Sequence, residues 1–332
     1  MNIKKVCVLG GGGFVGIHIV NKLGMAGYSV RVLTRTREHA KTVAVLPDVE
    51  VVEANIFDPS ELNRHFAGMD AVINLVGILN EEKTSRGNFH EVHVELPRKI
   101  VQACAASGVK RLLHMSALNA DPSAPSNYLR SKGLGETLVL AAGMRHSEDE
   151  GVHPARFIDG YGLAVTAFRP SVIFGREDSF INLFASLLKI APVLPLASPD
   201  TKFQPVFVDD VAQAFVASLN NSDTFGQSYN LCGPKAYTLR ELVELVGAMI
   251  GRKRRIINLS PRLSYLQAWV MEWLPGKKIM TRDNYYSMQV DSVCSNEFPA
   301  IFGVKLSALE AVAPGYLAES SPYQGYRSAA GR

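Results

Sequence analysis

Two sets of residues have types and spacing that suit chemistry. The first is Gly10-Gly11-Gly12-Gly13-Phe14-Val15-Gly16, which follows the apolar run Val6-Cys7-Val8-Leu9. That run has the length and valine content of a buried parallel strand. Val15, Ile19, Leu23 and Ala26 then recur three or four apart, as on a helix. Gly11-x-Gly13-x-x-Gly16 and the wider Gly10-x-x-Gly13-x-x-Gly16 both fit a loop that cradles a pyrophosphate. Glycine is required there because the turn needs positive φ, the backbone must approach the phosphates, and the helix must pack closely on its strand. The free N–H groups at the helix start then meet the negative charge. Gly10, Gly12, Gly13, Phe14, Val15 and Gly16 are therefore the predicted phosphate-binding residues of a dinucleotide site. The second set is Tyr128 and Lys132, four apart in Tyr128-Leu129-Arg130-Ser131-Lys132. On a helix that spacing puts both on one side.

The nature of the dinucleotide is read from the next strand, Ser29–Leu33, which ends at Thr34-Arg35-Thr36-Arg37. A ribose 2′-hydroxyl is usually met by Asp or Glu at this point. Arg35 stands there instead, with Arg37 close by. A guanidinium suits a 2′-phosphate by charge and by its fork of donors. The expected cofactor is NADP(H), with NAD(H) second. Further contacts are expected from the carboxyl ends of the strands: Asn55 and Ile56, then Leu75, Val76 and Gly77, then Pro170 and Ser171.

These residues need a frame, and the chain alternates strand and helix to provide one. Strands are predicted at 49–54, 71–77, 109–116 and 163–168, and helices from Asp58-Pro59-Ser60-Glu61, over 89–107 with a kink or restart at Pro97, and over 126–142. Asp58 reads as a helix cap, with proline in the first turn and Glu61 placed to reach back. The alternation predicts an α/β fold, a doubly wound parallel sheet of Rossmann type with the cofactor at the carboxyl ends of the strands. Residues 1–175 form the nucleotide domain, to which 203–235 return. A smaller substrate or partner lobe covers 176–319. It includes a helix over 180–190, a strand running into an aspartate-capped helix at Gln204–Val211, and a capping box at Thr238-x-x-Glu241. Residues 143–162 form a polar interruption, read as a surface or partner-contact loop, and 320–332 a disordered tail.

The chain has 332 residues, enough for one large core and a second lobe, and a net charge of +4. That charge is too small to indicate nucleic acid. The four cysteines, Cys7, Cys104, Cys232 and Cys294, are scattered and show no metal spacing, which reads as a reduced, cytosol-facing compartment. His90 and His93 form H-x-x-H without a third ligand, so no metal is expected. Asp209-Asp210 at a helix start reads as capping. The start of the chain reads directly as a strand, with no targeting peptide, and no apolar run reaches the ~20 residues that span a bilayer. The expected location is cytoplasmic, or peripheral on the inner face of the membrane. Pro261–Leu274 holds both tryptophans and is flanked by Arg252, Lys253, Arg254, Arg255, Lys277 and Lys278. Arg252–Lys278 is thus a candidate contact with a membrane surface or respiratory complex.

The glycine loop, Tyr128–Lys132, Arg169-Pro170 and Gln204–Val211 together resemble the extended short-chain dehydrogenase/reductase superfamily over roughly residues 3–250. Leu113–Ala120, Tyr128–Glu136 and Arg169–Phe184 resemble more closely an atypical branch, the nucleotide-binding accessory subunit of respiratory complex I and its bacterial relatives termed NAD-dependent epimerase/dehydratases. The resemblance implies NADP(H) binding and an association with quinone chemistry. It makes Tyr128 the proton donor or acceptor. Lys132 would hold the nicotinamide ribose and lower the tyrosine's pKa. The superfamily's Ser or Thr at the strand exit aligns with Ala117, leaving Ser116, one residue earlier, as the candidate hydroxyl. The usual helix asparagine aligns with His93, and Asn55 replaces an acidic residue near the adenine. Three functions follow: an NADP(H)-dependent oxidoreductase acting on a carbonyl or quinone-like substrate, a non-catalytic NADP(H)-binding accessory or assembly subunit, and a nucleotide-sugar epimerase or dehydratase.

Overall fold

In a computed structural model that describes residues 2–81, 87–143, 162–274 and 278–317, the chain forms two compact units. In chain order the main elements are β1 (Lys5–Leu9), α1 (Phe14–Met25), β2 (Ser29–Thr34), β3 (Val49–Glu53), α2 (Pro59–Phe66), β4 (Ala71–Asn74), α3 (Leu96–Ser107), β5 (Arg111–Met115), α4 (Asn127–Ala141), β6 (Ala164–Pro170), α5 (Ile181–Ile190), α6 (Val208–Ser218), β7 (Gln227–Leu231), α7 (Leu239–Met249), α8 (Pro261–Trp273) and α9 (Arg282–Ser287). The first unit comprises 1–170, 208–231 and 296–305. The 143–162 interruption lies, from residue 144 to 161, outside the described residues, as do Lys277 and the tail from 318.

The first unit is built on a seven-stranded parallel sheet in the order β7-β6-β5-β4-β1-β2-β3. The order turns back at β1, which pairs with both β2 and β4. Such a switch point opens a crevice at the carboxyl ends of the strands. Alternating side chains serve the two faces. Cys7, Leu9, Val72, Leu112 and Val165 pack against Leu62 and Phe66 of α2, Leu96, Ile100 and Val101 of α3, and Leu138 and Val139 of α4. On the other face Phe168 stacks on Phe215 of α6 at 4.1 Å between ring centroids, and α6 packs along α1.

Two buried features hold this frame. Arg111, fully buried at the start of β5, donates to Ala164 O, Thr166 Oγ1, Ser218 O and Thr224 Oγ1, and lies over the Phe225 ring. These bonds and the ring satisfy the two terminal nitrogens of the buried guanidinium, while Nε has no partner among the described residues. The helix predicted over 89–107 divides at Pro97. Glu91–Glu95 make a turn of π-helix before α3 begins. Pro97 has no N–H for the carbonyl of His93 and its ring crowds that oxygen, which widens the turn. The freed carbonyl lies against Gly135 of α4, where a Cβ would overlap it.

The second unit comprises 171–207, 232–295 and 306–332. Its core joins Phe184 and Leu188 of α5 to Leu242, Val243 and Val246 of α7, with Leu194, Phe203, Leu309 and Leu317. The Thr238–Glu241 capping box forms as expected. The cysteines depart from expectation. Cys232 and Cys294, 62 residues apart in sequence, are joined by a disulfide with Cα atoms 6.0 Å apart. The reading of four scattered, unpaired cysteines is corrected for this pair. Cys7 and Cys104 are buried free thiols whose pKa burial raises, Cys7 to about 12.

Candidate active site

The glycine loop leaves β1 and enters α1 with a division of labour among its glycines. Gly10 has φ +80°, the left-handed conformation that starts the turn. A Cβ on Gly16 would overlap the Gly10 carbonyl, and one on Gly12 would overlap the carbonyl of His39. Gly11 backs onto the Val32 side chain. Gly13 differs from these: it is exposed, its φ of −80° suits any residue, and the nearest atom to a Cβ there is Gly10 O at 3.3 Å. A Cβ at this position would need the Gly10 carbonyl to give by a few tenths of an ångström, a milder demand than at Gly12 or Gly16. Gly13 is also the N-cap of α1. No side chain caps the helix and its first turn holds no acid, so the orphan N–H groups of Phe14 and Val15 face outward. Gly10, Gly13 and Gly16 thus share one turn at a helix start that has no side-chain cap.

Leu75, Val76 and Gly77 leave β4 beside this loop, with Leu75 3.3 Å from where a Gly10 Cβ would sit. Arg35 follows the end of β2, exposed and with no ion-pair partner among the described residues. Arg37 is exposed as well, but its backbone N–H donates to Glu53 Oε1 at 2.7 Å, so a carboxylate stands in this neighbourhood. Asn55 uses its Oδ1 to accept from Phe57 N at 3.3 Å, and Ile56 is buried beside it. Pro170 ends β6, its carbonyl accepting from Leu118 N. Ser171 opens the second unit, where its hydroxyl donates to Ser292 O at 2.8 Å. Asp209, expected as a cap, lies inside the first turn of α6 and pairs with His18 Nδ1 of α1 at 2.6 Å.

Helix α4 carries the candidate chemistry. It starts at Ser126, whose hydroxyl accepts from Leu129 N, and so brings Tyr128 and Lys132 to the β5 exit. Lys132 is buried, and its Nζ donates to Met115 O at 3.0 Å and lies 3.1 Å from a Cβ position on Gly77. Burial lowers its pKa to about 8, which Glu136 one turn later opposes. Glu136 in turn is held by Arg169 at the end of β6, through Nε at 2.7 Å. Tyr128 is half-buried, with its ring edge-on to Phe89 and His93. Burial pushes its pKa up to about 12, the reverse of the lowering that the neighbouring lysine was expected to impose. The phenol stays protonated at neutral pH, ready to donate.

The missing hydroxyl is explained by strand alternation. Ser116 N donates to Phe168 O at 2.8 Å and Leu118 N to Pro170 O at 2.9 Å. The extended ladder thus continues past β5, and Ser116 and Ala117 face opposite ways. Ala117 packs with Ala124, Leu129 and the Tyr128 ring. Ser116 lies on the His114 side, buried, with its Oγ unpartnered among the described residues. α4 thus carries Tyr128 and Lys132 one turn apart, Tyr128 packs against the cluster that holds Ala117, and Ser116 faces the opposite way from Ala117.

His93 and His114 are the buried polar residues behind Lys132, and their tautomers follow from their partners. Ile78 N donates to His93 Nε2, while His93 Nδ1 donates to Ser131 Oγ, whose proton goes to Tyr128 O. His93 is therefore neutral and fixed. Asn74 accepts from Val76 N through Oδ1 and donates through Nδ2 to His114 Nδ1, leaving the His114 proton on Nε2 without a partner among the described residues. Burial and the Lys132 charge push the pKa of His93 to about 2 and of His114 to about 3. Glu136 and His114 were not singled out in the sequence. The i, i+4 step from Lys132 would have pointed to Glu136, whereas nothing local marks His114 within its apolar strand.

Residues 6–232 match the NAD dependent epimerase/dehydratase family. The chain belongs to that family, the extended short-chain dehydrogenase/reductase group. It is 30% identical over 314 residues to NADH dehydrogenase [ubiquinone] 1 alpha subcomplex subunit 9, mitochondrial, of Mus musculus, covering 91% of this chain and 77% of the relative. It is 29% identical to the ceramide reductase of Caulobacter vibrioides, covering 81% and 78%. Among solved structures, an Escherichia coli NADPH-dependent quinone oxidoreductase complexed with NADPH superposes with a TM-score of 0.71 at 17% identity, covering 94% of this chain and 99% of that one. No described helix is long and apolar enough to cross a membrane.

Proposed function

We propose that the protein binds NADPH and donates a proton through Tyr128 in the reduction of a carbonyl or quinone-like substrate. The observation that carries this is the pairing of an exposed Gly13, at a helix start with no side-chain cap, with an Arg35 after β2 that has no ion-pair partner among the described residues. Gly10, Gly13 and Gly16 and the N–H groups of Phe14 and Val15 would hold the diphosphate, Arg35 the 2′-phosphate, and Lys132 the nicotinamide ribose. When bound, the cofactor supplies hydride. Tyr128 supplies the proton, and its raised pKa favours the acid role over the base role. The quinone link rests on the relatives: the mouse protein is named for an NADH dehydrogenase [ubiquinone], and the superposed structure is a quinone oxidoreductase.

Titration with NADPH and NADH tests the cofactor. NADPH binding is expected to be tighter, and Arg35→Ala to abolish the difference. Equal or tighter NADH binding by the unaltered protein would refute it. The apolar Ala117 beside Tyr128 favours a second reading, a non-catalytic NADPH-binding accessory subunit of a respiratory complex. Tyr128→Phe separates the two. Turnover lost with NADPH binding kept supports catalysis, and an unchanged cellular role supports the accessory reading.

A further inference from the structure

Helix α8 is built inside out. Its buried side chains are Ser264 and Ala268, one turn apart. Leu263, Leu266, Trp269, Val270, Trp273 and the following Leu274 are all exposed, Trp269 at 44% and Trp273 at 75%. At 3.6 residues per turn these six fall within an arc of about 140°, opposite the Ser264–Ala268 stripe. Only Arg262 shares that arc as a charged residue. A helix on a folded domain normally turns its apolar stripe inward and its polar face outward. Here the inward stripe is small and the outward face is greasy, which marks an interaction surface. Ile257, exposed on the preceding strand Arg255–Asn258, and Tyr286 of α9, exposed with its ring 6.2 Å from that of Tyr265, add to the apolar area.

Within residues 252–278 the charged residues other than Glu272 are all basic. Arg252, Lys253 and Arg255 are exposed just before it and Arg262 lies within it. Lys278 lies just after it, with Nζ on the Leu274 carbonyl. The helix's own carboxylate, Glu272, is already neutralised by Arg282 at 2.6 Å. We infer that α8 and its basic flanks dock on an anionic phospholipid bilayer, with the helix in the plane of the interface. The apolar arc enters the acyl boundary, the tryptophan rings lie at the headgroup level, and the arginines and lysines meet lipid phosphates. A protein groove would accept the apolar arc, but the cations on both sides of it match a surface that is negative throughout. This inference does not rest on the cofactor reading.

Trp269 and Trp273 are the only tryptophans in the chain, so intrinsic fluorescence reports on this face without a label. The full-length protein is titrated with phosphatidylcholine vesicles and with mixed phosphatidylcholine/phosphatidylglycerol vesicles. The expected result is a blue shift and co-sedimentation with the anionic vesicles at low salt, reversal at high salt, and little binding to neutral vesicles. The triple variant Arg252→Glu, Lys253→Glu, Arg255→Glu should bind anionic vesicles about tenfold or more weakly. Trp269→Ser with Trp273→Ser should lose co-sedimentation while keeping its circular dichroism. Absence of binding to anionic vesicles at low salt overturns the inference, as does equal binding by the charge-reversed variant. A blue shift that grows with protein concentration in the absence of lipid means that a second copy covers the face, and also overturns it. NADPH titration of the same samples reads the cofactor site separately.

Discussion

Mild acid is expected to destabilise the first unit through His93 and His114. Both are buried and neutral, with pKa values pressed from an ordinary 6.5 to about 2 and about 3. An unfolded chain protonates both as the pH falls through 6.5, and the folded chain does not. In that window the unfolded state binds more protons, so stability falls with falling pH. Each histidine approaches a slope of about 1.4 kcal/mol per pH unit below its unfolded pKa, and the pair removes about 3 kcal/mol between pH 6.5 and 5. That is a large share of the roughly 5–15 kcal/mol by which domains are stable. Carboxylates held below their usual range, such as Asp58 and Asp121, release their contribution only at lower pH, while His65, whose pKa is also lowered by burial, adds to the same window with the same sign. Urea unfolding followed by circular dichroism at pH 7, 6 and 5 measures the effect. His114→Gln puts a neutral, non-titrating amide in place of the imidazole and should remove up to about half of the slope. A wild-type midpoint that stays level from pH 7 to 5, or a variant with an unchanged slope, would refute the reasoning.

Three further outcomes are expected. Gly13→Ala should leave the thermal midpoint nearly unchanged and abolish NADPH binding, whereas Gly16→Ala, which drives a methyl into the Gly10 carbonyl, should lower both; calorimetry and cofactor titration together distinguish them. Ala117→Ser restores a hydroxyl on the Tyr128 side, and should raise NADPH-dependent reduction by about tenfold or more in a steady-state assay. Cys232→Ser opens a 62-residue loop and should cost about 4 kcal/mol in urea unfolding, with added reductant lowering the wild type to match.

The parts of the molecule legible in the sequence are those whose signals are local. The glycine loop, the Asp58, Ser126 and Thr238 caps and the alternation of strand with helix depend on neighbours a few residues apart. The break at Pro97 was legible for the same reason, although its π-helical form depends on α4 leaving room at Gly135. What was not legible joins distant segments. Cys232 meets Cys294, and Asp209 meets His18 rather than capping its own helix. Asn296–Lys305 joins the first unit, with Phe302 against Phe168 and Tyr229. In the site, the Tyr128–Lys132 spacing was readable. The burial that raises the tyrosine pKa comes from Phe89 and His93, which no spacing connects to it.

The sheet that carries the candidate site cannot close while the chain is still emerging from the ribosome. Once residue 170 is out, β6 offers an open edge, and its partner β7 arrives some fifty-seven residues later, Gln227 pairing with Thr166. Until then Arg111 lacks Ser218 and Thr224, two of the groups that satisfy its buried guanidinium. A nascent or truncated chain ending near Pro170 thus combines an unpaired strand edge with an uncompensated internal cation. Synthesis of residues 208–231 is what completes the sheet that residues 1–170 begin.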